Sequence, residues 1–339
     1  MKPSANLWCN AVFYRSPITG ITSNAAIGIV VLLSAVTSVR PAAAQLPDVF
    51  DADPDRFAML VVIAHPDDES TFGGLLPFYA GCRGKSIKLL SLTSGEWGHG
   101  LPHHASADQT PDYSYDDSDQ PRHDEVPADA LYPCYFREIE LARMLIASGV
   151  RYAPDLPRYR DASDLQPWGD PSSAFELWGG RDAVVRRVAE TVRRVRPDVV
   201  VTMAEDGFNR NPQHLAASIA ARAAVPLAAD PAADVPGQPW QVAKLYTVVT
   251  NPADPVAGGE PDPTIIEGIE DQLHVHDWTQ PCDGLPTTPQ IRAAEANALH
   301  RSQSMPNACA PSTRFILRHT TVGPDIVNRN DLFENLRPR

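Results

Sequence analysis

His65-Pro66-Asp67-Asp68-Glu69 packs an imidazole and three carboxylates into five consecutive residues. His65 and Asp68 stand three apart, so one turn of chain can bring imidazole and carboxylate to a single point, while Asp67 between them projects elsewhere. Those two groups suit a divalent metal, and a third ligand must come from a distance. His214 is the best candidate, because it occupies the matching place after another buried strand. A His-Asp-His set with an open position is a hydrolytic zinc arrangement, and Asp67 is then free to act as a base. The plainer alternative is that the acids cap and charge a helix start. It accounts for one Asp, but not for a His and two Asp together.

The flanking elements decide whether such residues can meet. Phe57 to Ala64 (FAMLVVIA) is continuously apolar and partly β-branched, the pattern of a strand buried on both faces of a parallel sheet. Ser70 to Gly81 then reads as a helix, weakened by its glycines and Pro77, and Ser86 to Thr93 as a second strand, which completes a βαβ unit. Phe136 to Ser148 carries apolar residues at helical spacing and stops at Gly149. Arg151 to Arg160 has room for a short strand, and Arg181 to Val195 is an amphipathic helix stopped by Pro197. Asp198 to Met203 repeats the buried-strand pattern and again runs into a polar loop, then His214 and a helix over Leu215 to Ala224. Lys244 to Val249, Gln290 to Arg301 and Arg314 to Val322 read as strand, helix and strand. The predicted fold is α/β: a Rossmann-like three-layer sandwich around a mostly parallel twisted sheet, with ligands expected at the carboxyl ends of the strands.

The wider composition bounds the partners. The chain has 339 residues and 29 Lys+Arg against 42 Asp+Glu, a formal charge of −13, which argues against nucleic acid or an anionic membrane as partner. Residues 1–44 contain Lys2, Arg15 and Arg40 but no acid. Their apolar run, Ala25 to Val39, is too short to span a bilayer and is followed by Ala42-Ala43-Ala44, so they read as an export signal cleaved near Ala44; an uncleaved anchor or a mis-chosen start is the alternative. Residues 45–339 then form one domain, with no stable membrane insertion after cleavage. Export leaves Cys82, Cys134, Cys282 and Cys309, an even number in a compartment where disulfides persist. Sequence does not separate their three pairings; Cys282 with Cys309 closes the shortest loop and is the pairing expected.

Residues 97–130 hold four His and eight Asp+Glu without apolar period, and read as a long insertion or lid. His99, His103 and His104 within it could supply an acid or a second metal site, but a solvated loop is the simpler reading. Asp112, Asp116, Asp117 and Asp119 lack calcium-loop spacing. His274 and His276 alternate like strand residues. Trp97, Trp168 and Trp178 could stack on sugar rings or pack in the core. No Gly-rich phosphate loop and no GxSxG elbow is present.

Ala64-His65-Pro66-Asp67-Asp68-Glu69 closely resembles the signature of the LmbE-like, or PIG-L, zinc-dependent N-acetylglucosaminyl deacetylases. Thr93-Ser94-Gly95-Glu96 is similar to that family's TxGE segment, Arg137 to Gly149 to its R-x-x-E-L helix, and Arg196 to Val201 to its central strand. Ala296 to Gln303 (ANALHRSQ) is similar, more loosely, to its closing ALxxHxSQ element. The resemblance covers most of residues 57–322. It implies Zn2+ on His65, Asp68 and His214, with Asp67 as general base and then general acid. It also implies Arg137 and Asp161 as sugar contacts, and an N-acylated amino sugar, most simply acetylated, as substrate. The family's second motif usually reads HPDH; this chain has Asn211-Pro212-Gln213-His214. The ligand survives while the auxiliary imidazole does not. An Asn211 amide can donate to an oxyanion, and losing one such donor costs roughly 10²- to 10³-fold in other enzymes. The alternative is a zinc-containing carbohydrate-binding protein with weak or lost catalysis.

Overall fold

The computed structural model describes residues 50–95, 131–162, 165, 167–249, 273–303, 305, 307–327 and 331–336. Residues 1–44, read as an export signal, and residues 97–130, read as an insertion with Trp97, its histidines and its acidic run, lie outside the described residues, as do the side chains of Cys134 and His274.

The two apolar runs form the strands expected of them. β1 (Met59–Ile63) and β2 (Ile87–Ser91) are buried along their whole length, as is β3 (Val199–Thr202). β4 (Lys244–Val249), β5 (Leu273–Asp277) and β6 (Ser312–Thr320) complete a six-stranded sheet of order β2-β1-β3-β4-β6-β5. β2, β1, β3 and β4 run parallel, whereas β6 pairs antiparallel with both β4 and β5. The sheet is thus mixed α/β and mostly parallel, with an antiparallel edge.

Six described helices accompany it: α1 (Leu131–Ala147), α2 (Ser172–Leu177), α3 (Arg181–Val195), α4 (Gly207–Arg210), α5 (Pro212–Ala229) and α6 (Pro289–Asn297). On α3, Val184, Val188, Val192 and Val195 are buried at helical spacing, and the helix packs on α5, whose Ala216, Ala217, Ala220, Ala221 and Ala224 are all buried. Alanine at these positions keeps α5 close to both α3 and the sheet, because no side chain extends past Cβ. α3 ends where Arg196 turns left-handed, immediately before Pro197.

β1 lies between β2 and β3, so the chain leaves it in one direction and returns on its other side. That arrangement is a switch point, with a crevice outside the carboxyl ends of β1 and β3. Val62 pairs with Thr202, and Thr202 Oγ1 donates to Val62 O at 3.0 Å. The loop carrying His65 and the loop leading to His214 therefore leave neighbouring strand ends.

Two expected elements differ. The helix expected over 70–81 is a 3-10 turn at Asp68–Phe72 and a π-helical turn at Pro77–Cys82, broken between them at Gly73 and Gly74. A Cβ on Gly74 would stand 2.7 Å from Trp278 Cγ, so the backbone there gives way to the indole. Instead of a strand at 151–160, three isolated bridges join Tyr152 to Asp51, Asp155 to Leu90 and Tyr159 to Thr93. Pro154 and Pro157 lack the N–H that a continuous ladder needs.

The disulfide also differs from expectation. Cys82 is bonded to Cys282, their Cα atoms 5.7 Å apart, and Cys309 is a free thiol. Proximity in sequence gave way to backbone packing. Cys82 closes the π turn beside the loop after β5, where a Cβ on Gly284 would lie 2.6 Å from Gly81 O.

Candidate metal centre

Immediately after β1 the chain folds back on itself. Asp68 Oδ2 accepts from the backbone N–H groups of Ala64 (3.0 Å) and His65 (2.7 Å), which fixes the carboxylate against the strand end. Asp67, in the middle of the turn, is forced to φ 122°, a conformation that non-glycine residues rarely adopt. Arg137 from α1 holds it there: Nη2 donates to Asp67 Oδ1 at 2.7 Å and also to Pro66 O, while Nη1 donates to Gly95 O at 2.8 Å.

His214 sits in the first turn of α5. Its Nδ1 faces Gly207 O at 2.9 Å, an atom that can only accept, so the proton belongs on Nδ1 and the Nε2 lone pair points away. His65 is oriented by the same logic, because its Nε2 faces Gln213 Oε1 at 2.8 Å and Asp161 Oδ1 at 3.3 Å, which assigns the proton to Nε2. The two remaining nitrogens, His65 Nδ1 and His214 Nε2, lie 3.0 Å apart. Asp68 reaches both, with Oδ2 3.4 Å from His65 Nδ1 and Oδ1 3.1 Å from His214 Nε2. These three buried groups each offer a ligand atom, all within 4.8 Å of one another. Two imidazole lone pairs and a carboxylate aimed at one point form the donor set of a divalent metal, so the residues fit one.

The carboxylates around the site make it favourable to positive charge, whether a proton on His65 or a bound cation. Burial works to depress the His65 pKa, but the carboxylates of Asp161 and Asp68 prevail and raise it. Burial works to raise that of Asp68, yet His214 and His65 hold it well below the usual carboxylate range. Burial raises Asp67 to about 6, against the opposing pull of Arg137.

The other expected site residues occupy distinct positions. Asn211 is the N-cap of α5, its Oδ1 accepting from Gln213 N at 2.8 Å. Arg137 and Asp161 are only 3% and 5% exposed and face Asp67 and His65 respectively. Trp178 is core, stacked on Tyr159 and donating to Arg160 O, whereas Trp168 is exposed. His276 is buried and stacks on Trp278.

Sequence reasoning assigned no role to a second set of buried polar residues. His300 Nε2 bonds Glu69 Oε1, and Ser302 binds Glu140 of α1 through its N–H (2.8 Å) and Oγ (2.6 Å). The only signal was the likeness of residues 296–303 to a family motif, which named residues without partners.

Fold and site together define an α/β protein with a buried His-Asp-His group that could bind a metal at the carboxyl ends of two adjacent parallel strands. Residues 60–225 match the GlcNAc-PI de-N-acetylase (PIG-L) family, and the chain carries a domain of that family. It is 36% identical over 198 residues to a 1D-myo-inositol 2-acetamido-2-deoxy-alpha-D-glucopyranoside deacetylase of Streptomyces avermitilis, covering 57% of this chain and 61% of the relative. A protein of the same description, deacetylase 1 of Catenulispora acidiphila, is 31% identical over 246 residues, covering 70% of this chain and 66% of the relative. The chain thus spans under two thirds of the length of these curated relatives. Among solved structures, N,N'-diacetylchitobiose deacetylase from Pyrococcus horikoshii is similar at 16% identity and a TM-score of 0.45, covering 74% of this chain and 71% of that one.

Proposed function

We propose that this protein is an exported, zinc-dependent N-deacetylase that removes an acyl group, most simply acetyl, from the amine of an amino sugar or its conjugate. The observation that carries the reading is the convergence of His65, Asp68 and His214 beside a strained, Arg-held Asp67. When bound, zinc would polarise the acyl carbonyl and lower the pKa of its water towards about 7. Arg137 fixes Asp67 Oδ1, which leaves Oδ2 to take the proton of the attacking water and return it to the departing amine. The Asn211 amide nitrogen supplies a hydrogen bond to the developing oxyanion. Arg137 and Asp161, expected at the sugar, act in this reading as holders of Asp67 and His65.

Export with cleavage near Ala44 belongs to the same reading, and the Cys82–Cys282 bond suits an oxidising compartment. The Rossmann-like arrangement of helices about the sheet is part of the same proposal. No described helix is long and apolar enough to cross a membrane. The test is turnover by zinc-loaded protein on a panel of N-acetylglucosamine conjugates, with Asp67→Asn as control. Acetate release that Asp67→Asn abolishes while zinc stays bound supports the proposal; stoichiometric zinc without turnover on any conjugate favours the sugar-binding alternative, which the capping use of Asn211 also suits.

A further inference from the structure

The strained conformation of Asp67 has a second support besides Arg137. Its backbone N–H donates to Glu69 Oε2 at 3.0 Å. The other oxygen of the same carboxylate, Oε1, is bonded by His300 Nε2. Glu69 and His300 are both buried, at 2% and 0% exposure. His300 lies 231 residues further along the chain, between α6 and the turn at Arg301–Gln303. Ser302, two residues on, is anchored separately on Glu140 of α1, so the backbone carrying His300 is held independently of the imidazole.

We infer that His300 is a positioning residue: through Glu69 it keeps Asp67 in its left-handed conformation, with the carboxylate held on Arg137. A buried carboxylate needs a partner on each oxygen. With His300 in place, Glu69 has a charge-assisted bond on one oxygen and the Asp67 N–H on the other. Without it, Glu69 must seek water or another donor, and the Asp67 N–H loses its acceptor. A φ of 122° in a non-glycine residue persists only where its surroundings over-determine it. Removing one of two supports lets the residue relax and swings its carboxylate off line. A displacement of about 1 Å at a catalytic group can cost on the order of 10²-fold in rate.

The inference rests on the deacetylase reading for its kinetic consequence, but not for its structural one. The test therefore pairs steady-state kinetics with crystal structures of wild type, His300→Ala and His300→Gln. Gln places an amide nitrogen near the position of the imidazole Nε2 and can still donate to Glu69. Expected are an Asp67 φ that leaves the left-handed region in His300→Ala, and a kcat lower by about 10²-fold with KM and zinc content unchanged. His300→Gln should recover most of both. If no conjugate is turned over by wild type but Asp67 still relaxes in His300→Ala, the positioning role stands and the deacetylase reading fails. An Asp67 that keeps its φ and its Glu69 contact in His300→Ala overturns the inference. So does an undiminished kcat, or a loss of kcat, KM and thermal stability together that His300→Gln does not rescue. Should His300→Ala not fold, His300→Asn, whose amide is too short to reach Glu69, replaces it with the same expectations.

Discussion

Gln213 Oε1 and His65 Nε2 meet at 2.8 Å, on the side of the imidazole opposite the nitrogen that faces Asp68 and His214. The amide oxygen can only accept, so it keeps a proton on His65 Nε2 and leaves Nδ1 facing the candidate metal position. Gln213 Nε2 donates in turn to Arg160 O at 3.3 Å, which fixes the amide the right way round. The residue found where an acid is usual is thus a neutral acceptor that orients a ligand, with Asp161 supplying a carboxylate 3.3 Å from the same nitrogen.

Gln213→Ala removes that acceptor without touching a ligand. Loss of such an outer partner typically weakens metal binding by about 10- to 100-fold. Competition between the protein and a chromophoric chelator reads the change directly. Equal zinc affinity in the variant and the wild type would show that Asp161 alone orients His65.

Asn211 combines two uses that substitution can separate. Its Oδ1 caps α5, and capping is retained by Ser but lost in Ala, at a cost of about 1 kcal/mol. The proposed oxyanion bond needs the amide nitrogen, which both variants lack. Asn211→Ser should keep wild-type stability while kcat falls by about 10²- to 10³-fold; Asn211→Ala should lose both. Denaturant melts alongside kinetics decide it, and a fully active Asn211→Ser restricts the residue to capping.

What could be read from sequence and what could not divide along physical lines. α3 begins and ends at the residues expected, because its valine stripe, cationic outer face and following Pro197 are all local signals. β4 likewise matches its apolar run. The 70–81 segment misled because its helix is broken by Trp278, more than 190 residues away, and 151–160 because its partners belong to other elements. The three groups that could ligate a metal were legible from residue type and their shared place after buried strands, and they do converge. The partners of the residues behind them were not: Asp161 meets His65 and His300 meets Glu69 across distant segments, and such a contact leaves no period in a sequence.

The Cys82–Cys282 bond joins residues 200 apart. A cross-link closing so long a loop typically stabilises by about 2–4 kcal/mol, chiefly by restricting the unfolded chain. The double variant Cys82→Ser with Cys282→Ser should unfold at lower denaturant concentration by that amount, with zinc affinity retained because neither cysteine is a ligand. Cys309→Ser should change little: burial raises that thiol to about 11, and it has no disulfide partner. Urea titrations of the three proteins test this, and a Cys309→Ser variant as unstable as the double variant would contradict the pairing.

His300 also predicts a pH dependence of stability. Burial opposes its protonation most strongly and Arg137 adds to it, but the charge and hydrogen bond of Glu69 together with Asp67 prevail, so its folded pKa lies above the ordinary 6.5. The folded state therefore binds the proton more tightly than the unfolded chain does. That contribution is fully present below about pH 6.5 and is lost as pH rises through the higher folded value. His300→Gln cannot titrate and lacks this term. The difference in unfolding free energy between wild type and His300→Gln should thus be largest in mildly acidic solution and shrink steadily towards alkaline pH, measured by urea melts at matched ionic strength. A difference that stays constant across that range would mean His300 is neutral in the folded protein and that its bond to Glu69 is not charge-assisted.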